Sequence, residues 1–343
     1  MITVFSADHE QHCGLLEASG DCYRPSPECP ERATSVIRAL QGAGLGELRG
    51  PAAFDLRKIT RVHSHDYVDF LQEAWAEWRR AGMQASNARA QTFVCNGLRE
   101  ASPRSIQGRL GRHAFDDSAP IVAGSWQAIR RSAEIALTAA DIVKSTRKNA
   151  FALCRPPGHH ATREAAGGYC YLNNGAIAAQ ALIDAGLDRV AVLDVDYHHG
   201  NGTQSIFYER NDVLTVSLHA DPADEYPYFL GYTDEPGEGK GHGFNINLPL
   251  PLGTAWNHYG EALHDALAII RRFSPPAIVV ALGLDTFAGD PTTRFGIETE
   301  DYPEMGRSIG ALGIPVLAVL EGGYAVDAIA RNTVAFLRGV DGQ

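Results

Sequence analysis

The sequence predicts an α/β protein built on one parallel sheet with helices on both faces, and three observations carry that reading. Short apolar or β-branched runs alternate along the chain with stretches of helical spacing, which implies right-handed crossovers between parallel strands. Five of these runs end in polar or reactive residues, as strands do where an open α/β sheet gathers ligands beyond their carboxyl ends. The 343 residues contain no Pro/Gly/Ser-rich linker, low-complexity stretch or internal repeat, so a single domain is expected.

In chain order, apolar residues recur at helical spacing over residues 66 to 80 and 126 to 143, which predicts two helices. Between them residues 81 to 120 show no clear period and carry five arginines, at 89, 99, 104, 109 and 112. An aperiodic segment this long inside a compact domain is usually functional or held by a partner. A strand over 151 to 154 then runs into Arg155-Pro-Pro-Gly-His159-His160, and a helix is predicted over 174 to 185. The next strand, from residue 191, runs into Asp194, Asp196, His198 and His199. Strands over 213 to 218, 277 to 284 and 315 to 320 end at His219, Asp285 and Glu321-Gly-Gly-Tyr324. Helices over 257 to 272, 302 to 312 and 326 to 338 complete the pattern.

Composition excludes several function classes. The opening Met1-Ile-Thr-Val-Phe-Ser lacks the basic and apolar regions of a signal peptide, and no apolar run approaches the roughly 18 residues of a membrane span. A soluble, cytoplasmic protein is expected. The six cysteines form no CxxC pair, so reduced thiols are expected, with Cys154 and Cys170 as small buried hydrophobes. A net charge of -11 argues against nucleic-acid or anionic-membrane partners and suits a cationic substrate.

The run through Asp194 carries the sharpest chemical signal. Side chains alternate along a strand, so Asp194, Asp196 and His198 are expected on one face, opposite Val195, Tyr197 and His199. Two carboxylates and one imidazole from Asp196, Asp285 and His198 make a three-ligand site with an open position for water, a catalytic layout. Oxygen-rich ligation admits zinc, ferrous iron, cobalt or manganese. Recruiting His199 instead, as in two-histidine, one-carboxylate sites, conflicts with the alternation. The rigid Pro-Pro-Gly turn fixes His159 and His160 as adjacent imidazoles suited to proton transfer near neutral pH. Asp194 and Asn201 are candidate partners that orient them. Tyr324, on a Gly-Gly turn, is equally readable as a packing residue or as a hydroxyl that polarises a carbonyl opposite the metal.

The strings RPPGHH (155 to 160), GGYCYLNN (167 to 174), LDVDYHHGNGTQ (193 to 204), VSLH (216 to 219), GLDTFAGDP (283 to 291) and EGGY (321 to 324) resemble those of histone-deacetylase-family enzymes. The resemblance is nearest to the bacterial acetylpolyamine amidohydrolase branch and extends from Val4 to the final helix. It implies the arginase/deacetylase fold, an eight-stranded parallel sheet flanked by helices. It further implies zinc on Asp196, His198 and Asp285, with Asp194 orienting His159. His160, beside Asn201, would be the main general base and then acid, and Tyr324 would bind the carbonyl oxygen. Tyr169 and Tyr226 would wall a narrow channel, with the Gly168 carbonyl accepting the substrate amide hydrogen. Potassium is implied near Asp194, Ser217 and the carbonyls of Asp196, His198 and Leu218. Residues 81 to 120 would be an insertion that builds a homodimer and narrows the cleft.

On this reading the substrate is a small, cationic, acetylated amine, with Glu17 and Asp117 as rim carboxylates for a distal ammonium. The segment departs from the branch at Gln107 and Ser118, where acids are expected, and at Arg112-His113, where an aromatic pair is usual. Those departures leave the chemistry intact and bear on polyamine preference. Two other enzyme readings stand beside it: an acetyl-lysine protein or peptide deacetylase of the same family, and a dinuclear manganese ureohydrolase using Asp290 as a bridging carboxylate. A degenerate homologue that only binds acetylated ligands is the non-enzymatic alternative.

Overall fold

The sheet runs in the order β4-β1-β5-β10-β9-β6-β7-β8 with every pairing parallel, in a computed structural model that describes residues 1 to 343 except 96, 100 and 343 and the side chain of Ser19. The strands are β1 (Ile2–Val4), β4 (Glu47–Arg49), β5 (Ala150–Ala152), β6 (Val190–Asp194), β7 (Val213–Ala220), β8 (Asn245–Leu250), β9 (Ile278–Leu282) and β10 (Val316–Leu320). A separate antiparallel hairpin joins β2 (Leu16–Ser19) and β3 (Cys22–Pro25). The helices among the described residues are α1 (Pro30–Gly42), α2 (His65–Arg80), α3 (Ile106–Arg112), α4 (Ser125–Thr146), α5 (Asn174–Asp184), α6 (Asn201–Phe207), α7 (Trp256–Phe273), α8 (Tyr302–Gly310) and α9 (Val326–Val340).

The central strands are buried on both faces, and their residues divide by the two-residue period. Val190 and Val192 of β6 enter one core beneath α4 and α5, whereas Ala191 and Leu193 enter the other beneath α1, α7, α8 and α9. Helix starts follow local chemistry. Ser64 accepts from the Tyr67 amide at 3.3 Å to cap α2, and Asn173 accepts from the Ala176 amide at 2.8 Å to cap α5. No helix is long and apolar enough to cross a membrane among the described residues.

Two sequence expectations need correction. Residues 81 to 120 are not without regular structure: Ser105 caps α3, and the segment docks through bridges of Ala88 to Ile121 and Ala114 to Ala166. The strand alternation also stops at Asp194, where β6 ends, so the arrangement of residues 195 to 200 is set by a bend rather than by the pleat. Because the strands are parallel, β5, β6, β9 and β10 deliver their ends to the same edge of the sheet.

Candidate active site

Ligand atoms of Asp196, His198 and Asp285 lie within 4.8 Å of one another just beyond the ends of β6 and β9, the two carboxylates buried and His198 partly buried. His198 Nδ1 is 3.0 Å from Asp285 Oδ2 and 3.4 Å from Asp196 Oδ1. Backbone amides fix both carboxylates: His198 N–H donates to Asp196 Oδ1 at 2.9 Å, Gly322 N–H to Asp196 Oδ2 at 2.8 Å, and Tyr197 N–H to Asp285 Oδ1 at 3.0 Å. A Cβ on Gly322 would come within 2.4 Å of Asp285 Oδ2 and 2.6 Å of Asp196 Oδ2, so only glycine lets the β10 turn close over the pair.

The charges in this cluster are unbalanced. Burial and the neighbouring Asp196 push the Asp285 carboxyl up to about 7. Burial opposes the charged form of His198, yet its hydrogen bonds to the Asp196 and Asp285 carboxylates outweigh that and lift the imidazole to about 10. Two carboxylates and an imidazole nitrogen, preset by amides and short of positive charge, fit a divalent cation. His199 packs against His219, ring centroids 4.6 Å apart, and is not among the three residues of the cluster.

The loop after β5 brings His159 and His160 beside this cluster, with ring centroids 4.0 Å apart. His159 Nδ1–H donates to Asp194 Oδ2 at 2.9 Å, so Asp194 serves the histidine rather than joining the triad. Burial disfavours the His159 cation, but Asp196 and Asp194 overcome that and hold its pKa well above the usual imidazole value. His160 moves oppositely: burial, then His159 and His198, push it well below. Its Nδ1–H donates to the Asn201 amide oxygen at 2.7 Å, which leaves Nε2 as the free lone pair. The loop itself hangs on Glu321, whose Oε2 accepts from the Gly158 amide at 2.6 Å and the His159 amide at 3.0 Å.

Tyr324 is buried beside the cluster, its hydroxyl held neutral by burial and by Asp285 and Asp196 against the opposing pull of Arg32. Asp290 Oδ2 accepts from the Tyr324 and Ala325 amides at 2.5 and 2.8 Å, and its Oδ1 accepts from the Thr292 amide and hydroxyl at 3.0 and 2.8 Å. Asp290 is thus an anchor of the tyrosine turn, and the expectation of a bridging carboxylate for a second metal falls on it. Arg32, fully buried, donates to the Gly323 and Glu321 carbonyls from the other side, with its guanidinium 4.6 Å from the Tyr324 ring centroid. Sequence reasoning passed over Arg32, although its spacing of four from Glu28 was a readable pairing signal.

Above the cluster Tyr169 and Tyr226 stand on different loops. The Tyr226 ring is 5.0 Å from His160 and 6.0 Å from His198, and the Tyr169 ring is 5.4 Å from Tyr324. The Tyr169 hydroxyl donates to Glu17 Oε2 at 2.7 Å, so Glu17 does reach the passage. Asp117 is exposed and its carbonyl accepts from Arg89 at 2.8 Å, while Asp116 accepts from the Tyr226 hydroxyl at 2.6 Å and the Gly168 amide at 3.0 Å. Gln107 lies away from the passage, its amide directed at Met83 Sδ, and His113 is a core residue stacked on Phe70 at 4.6 Å. Ser217 and Asp194 are register partners on β7 and β6, with the Ser217 hydroxyl 2.7 Å from His219 Nδ1.

Residues 26 to 340 of this chain, which carry the Asp-His-Asp triad, the histidine pair and the turn tyrosine, match the histone deacetylase domain, and the chain belongs to that family. Among its relatives, acetylpolyamine amidohydrolase 2 of Pseudomonas aeruginosa is 48% identical over 342 residues, covering 100% of this chain and 99% of that protein. The acetylpolyamine amidohydrolase of Mycoplana ramosa is 44% identical and fully covered. The crystal structure of acetylpolyamine aminohydrolase from Burkholderia pseudomallei superimposes with a TM-score of 0.94 at 41% identity, covering 99% of this chain and 98% of that one. The HDA15 HD domain follows at 0.83 and 28% identity, covering 99% and 89%.

Proposed function

We propose that the protein is a zinc-dependent amidohydrolase that removes acetyl groups from acetylated polyamines or related small aminoalkyl amides, releasing acetate and the amine. The observation that carries this is the convergence of Asp196, His198 and Asp285 beside a histidine pair of opposed protonation, at the foot of a passage between Tyr169 and Tyr226. Full-length similarity to acetylpolyamine amidohydrolases supports the substrate class.

Asp196, His198 and Asp285 would hold the zinc, with ferrous iron, cobalt or manganese as substitutes the same donors accept. When bound, such a dication lowers the pKa of water toward about 7 and polarises a carbonyl. His160 is the neutral member of the pair, so its Nε2 takes the proton from the attacking water and passes it to the departing amine nitrogen. His159, cationic and bound to Asp194, stabilises negative charge in the transition state. The Tyr324 hydroxyl donates to the carbonyl oxygen as its charge grows. The Gly168 carbonyl accepts the substrate amide N–H, Tyr169 and Tyr226 enclose the aliphatic chain, and Glu17 meets a distal ammonium.

Asp194 and Ser217, adjacent across β6 and β7, together with the carbonyls of Asp196, His198 and Leu218, are assigned to potassium. Residues 81 to 120 are assigned to a homodimer contact that narrows the cleft. The zinc-loaded chain is expected to hydrolyse monoacetylated diamines with higher kcat/KM than acetyl-lysine peptides of matched charge. The reverse ranking, measured on the same preparation, would replace this reading with that of a lysine deacetylase.

A further inference from the structure

We propose that Asp116, helped by Ser118, is a cross-tie that joins the two walls of the substrate passage and fixes its width, making it a specificity-determining positioning residue. This rests on the deacetylase reading for the identity of the substrate, but the tie itself is a feature of the chain. One carboxylate oxygen, Asp116 Oδ2, accepts from both walls: from the Tyr226 hydroxyl at 2.6 Å on one side and from the Gly168 amide at 3.0 Å on the other. The second oxygen, Oδ1, accepts from the Ser118 amide at 2.9 Å and the Ser118 hydroxyl at 2.6 Å. Ser118 Oγ in turn accepts from the Tyr169 amide at 3.3 Å.

The wall being held needs holding. Gly168 and Tyr169 are consecutive residues in the left-handed region, with φ of 53° and 64°, a conformation disfavoured for tyrosine. A Cβ on Gly168 would come within 2.2 Å of the His160 ring, so the turn sits hard against the general base assigned above. The two amides of this turn are the ones that Asp116 and Ser118 accept from. Asp116 has a firm base of its own: the Phe115 amide donates to the Ala166 carbonyl at 3.0 Å, and the Ala166 amide to the His113 carbonyl at 2.9 Å. Burial and the adjacent Asp116 raise the Tyr226 pKa well above its ordinary value, so the hydroxyl stays a donor to the carboxylate.

Segment 81–120 therefore shapes the passage from within, through one carboxylate, as well as from outside. A straight alkyl chain passes between Tyr169 and Tyr226 at the preset width. A chain branched beside the amide requires the walls to part, which breaks a charge-assisted hydrogen bond on Asp116. The tie depends on the tyrosine hydroxyl at 226, which phenylalanine would not supply.

The test compares wild type with Tyr226→Phe, Asp116→Asn, Ser118→Ala and the Tyr226→Phe/Asp116→Asn double variant, each metal-loaded. The substrates are the acetyl amide of a linear diamine and its analogue methylated on the carbon next to the amide nitrogen. Loss of a hydrogen bond to a charged group corresponds to about tenfold or more. The kcat/KM ratio of linear to branched amide is expected to fall about tenfold in Tyr226→Phe and in Asp116→Asn, with KM moving more than kcat. The double variant should be no worse than the more affected single one. Amide hydrogen exchange over residues 166 to 172 in the metal-free proteins, which needs no activity, should accelerate in every variant. An unchanged ratio with unchanged exchange, or additive effects in the double variant, overturns the cross-tie. If wild type hydrolyses neither amide, the deacetylase reading fails, and the exchange rates alone decide whether the tie exists. Should Asp116→Asn fail to fold, Tyr226→Phe carries the same comparison.

Discussion

Glu28, Arg32 and Arg155 are buried on one side of the turn 321–324, while Asp194, Asp196 and Asp285 gather with His159 and His198 on the other, and the two clusters treat charge in opposite ways. In the first, Glu28 is shared by both guanidiniums, at 3.0 Å from Arg32 Nη1 and 3.0 Å from Arg155 Nη2. Other N–H groups of the two guanidiniums reach the carbonyls of Glu321, Gly323, His9 and His12. Burial opposes ionisation of Glu28, but Arg155 and Arg32 hold its carboxyl below the ordinary range. In the second, carboxylates outnumber what the histidines neutralise, and Asp285 is left with a raised pKa. The paired cluster holds the tyrosine turn in place. The carboxylate-rich one groups side chains that could hold a cation.

The largest effect should come from the unpaired cluster. Asp196→Ala, His198→Ala and Asp285→Ala are each expected to abolish amide hydrolysis and metal retention while the chain stays folded, as read by turnover, elemental analysis and circular dichroism. Full metal content in all three would break the comparison. Stability should separate the clusters by sign. Glu28→Gln leaves two buried guanidiniums without their carboxylate and is expected to cost about 3 to 5 kcal/mol in denaturant unfolding. Asp285→Asn should instead stabilise the metal-free chain above pH 7. A carboxyl whose folded pKa is raised binds more protons folded than unfolded, so stability falls as pH rises from about 4 to 7, and the amide removes that penalty. Equal destabilisation by both would erase the distinction.

Smaller effects test the turn that both clusters grip. Tyr324→Phe removes the assigned oxyanion donor and should lower kcat by about 10² to 10³ with KM little changed. Asp290→Asn keeps the tyrosine but weakens the anchor at its amide, and a drop of about tenfold in kcat is expected. Because Asp290 acts through Tyr324, that drop should vanish in a Tyr324→Phe background. An undiminished effect there would make Asp290 a general structural residue.

The unpaired cluster was legible in the sequence because strand ends expose it: acids and histidines that close apolar runs stand out without knowledge of the packing. Strand parity was extended past Asp194, where β6 ends and a bend takes over, so it could not by itself place residues 195 to 200 or show that Asp194 pairs with His159. The paired cluster was legible only in part: Glu28 and Arg32 are four positions apart, but Glu28 and Arg155 are 127 positions apart and no local period links them. The choice between Asp116 and Asp117 was hidden for a local reason: the turn in which Asp116 accepts from the Ser118 amide decides which acid points inward. Strands β1 and β4, three residues each, are too short to show any period, and α3 is a helix of only seven residues inside an arginine-rich segment.

Metal removal tests the central claim most directly. The wild-type chain is stripped with a chelator, assayed on a monoacetylated diamine, and titrated with zinc while thermal unfolding is followed. Hydrolysis is expected to vanish on stripping and return as zinc binds one site per chain, with Tm rising as the cation neutralises the Asp196, His198 and Asp285 cluster. A stripped chain that still hydrolyses the amide at the full rate, with Tm unmoved by zinc, would contradict the account.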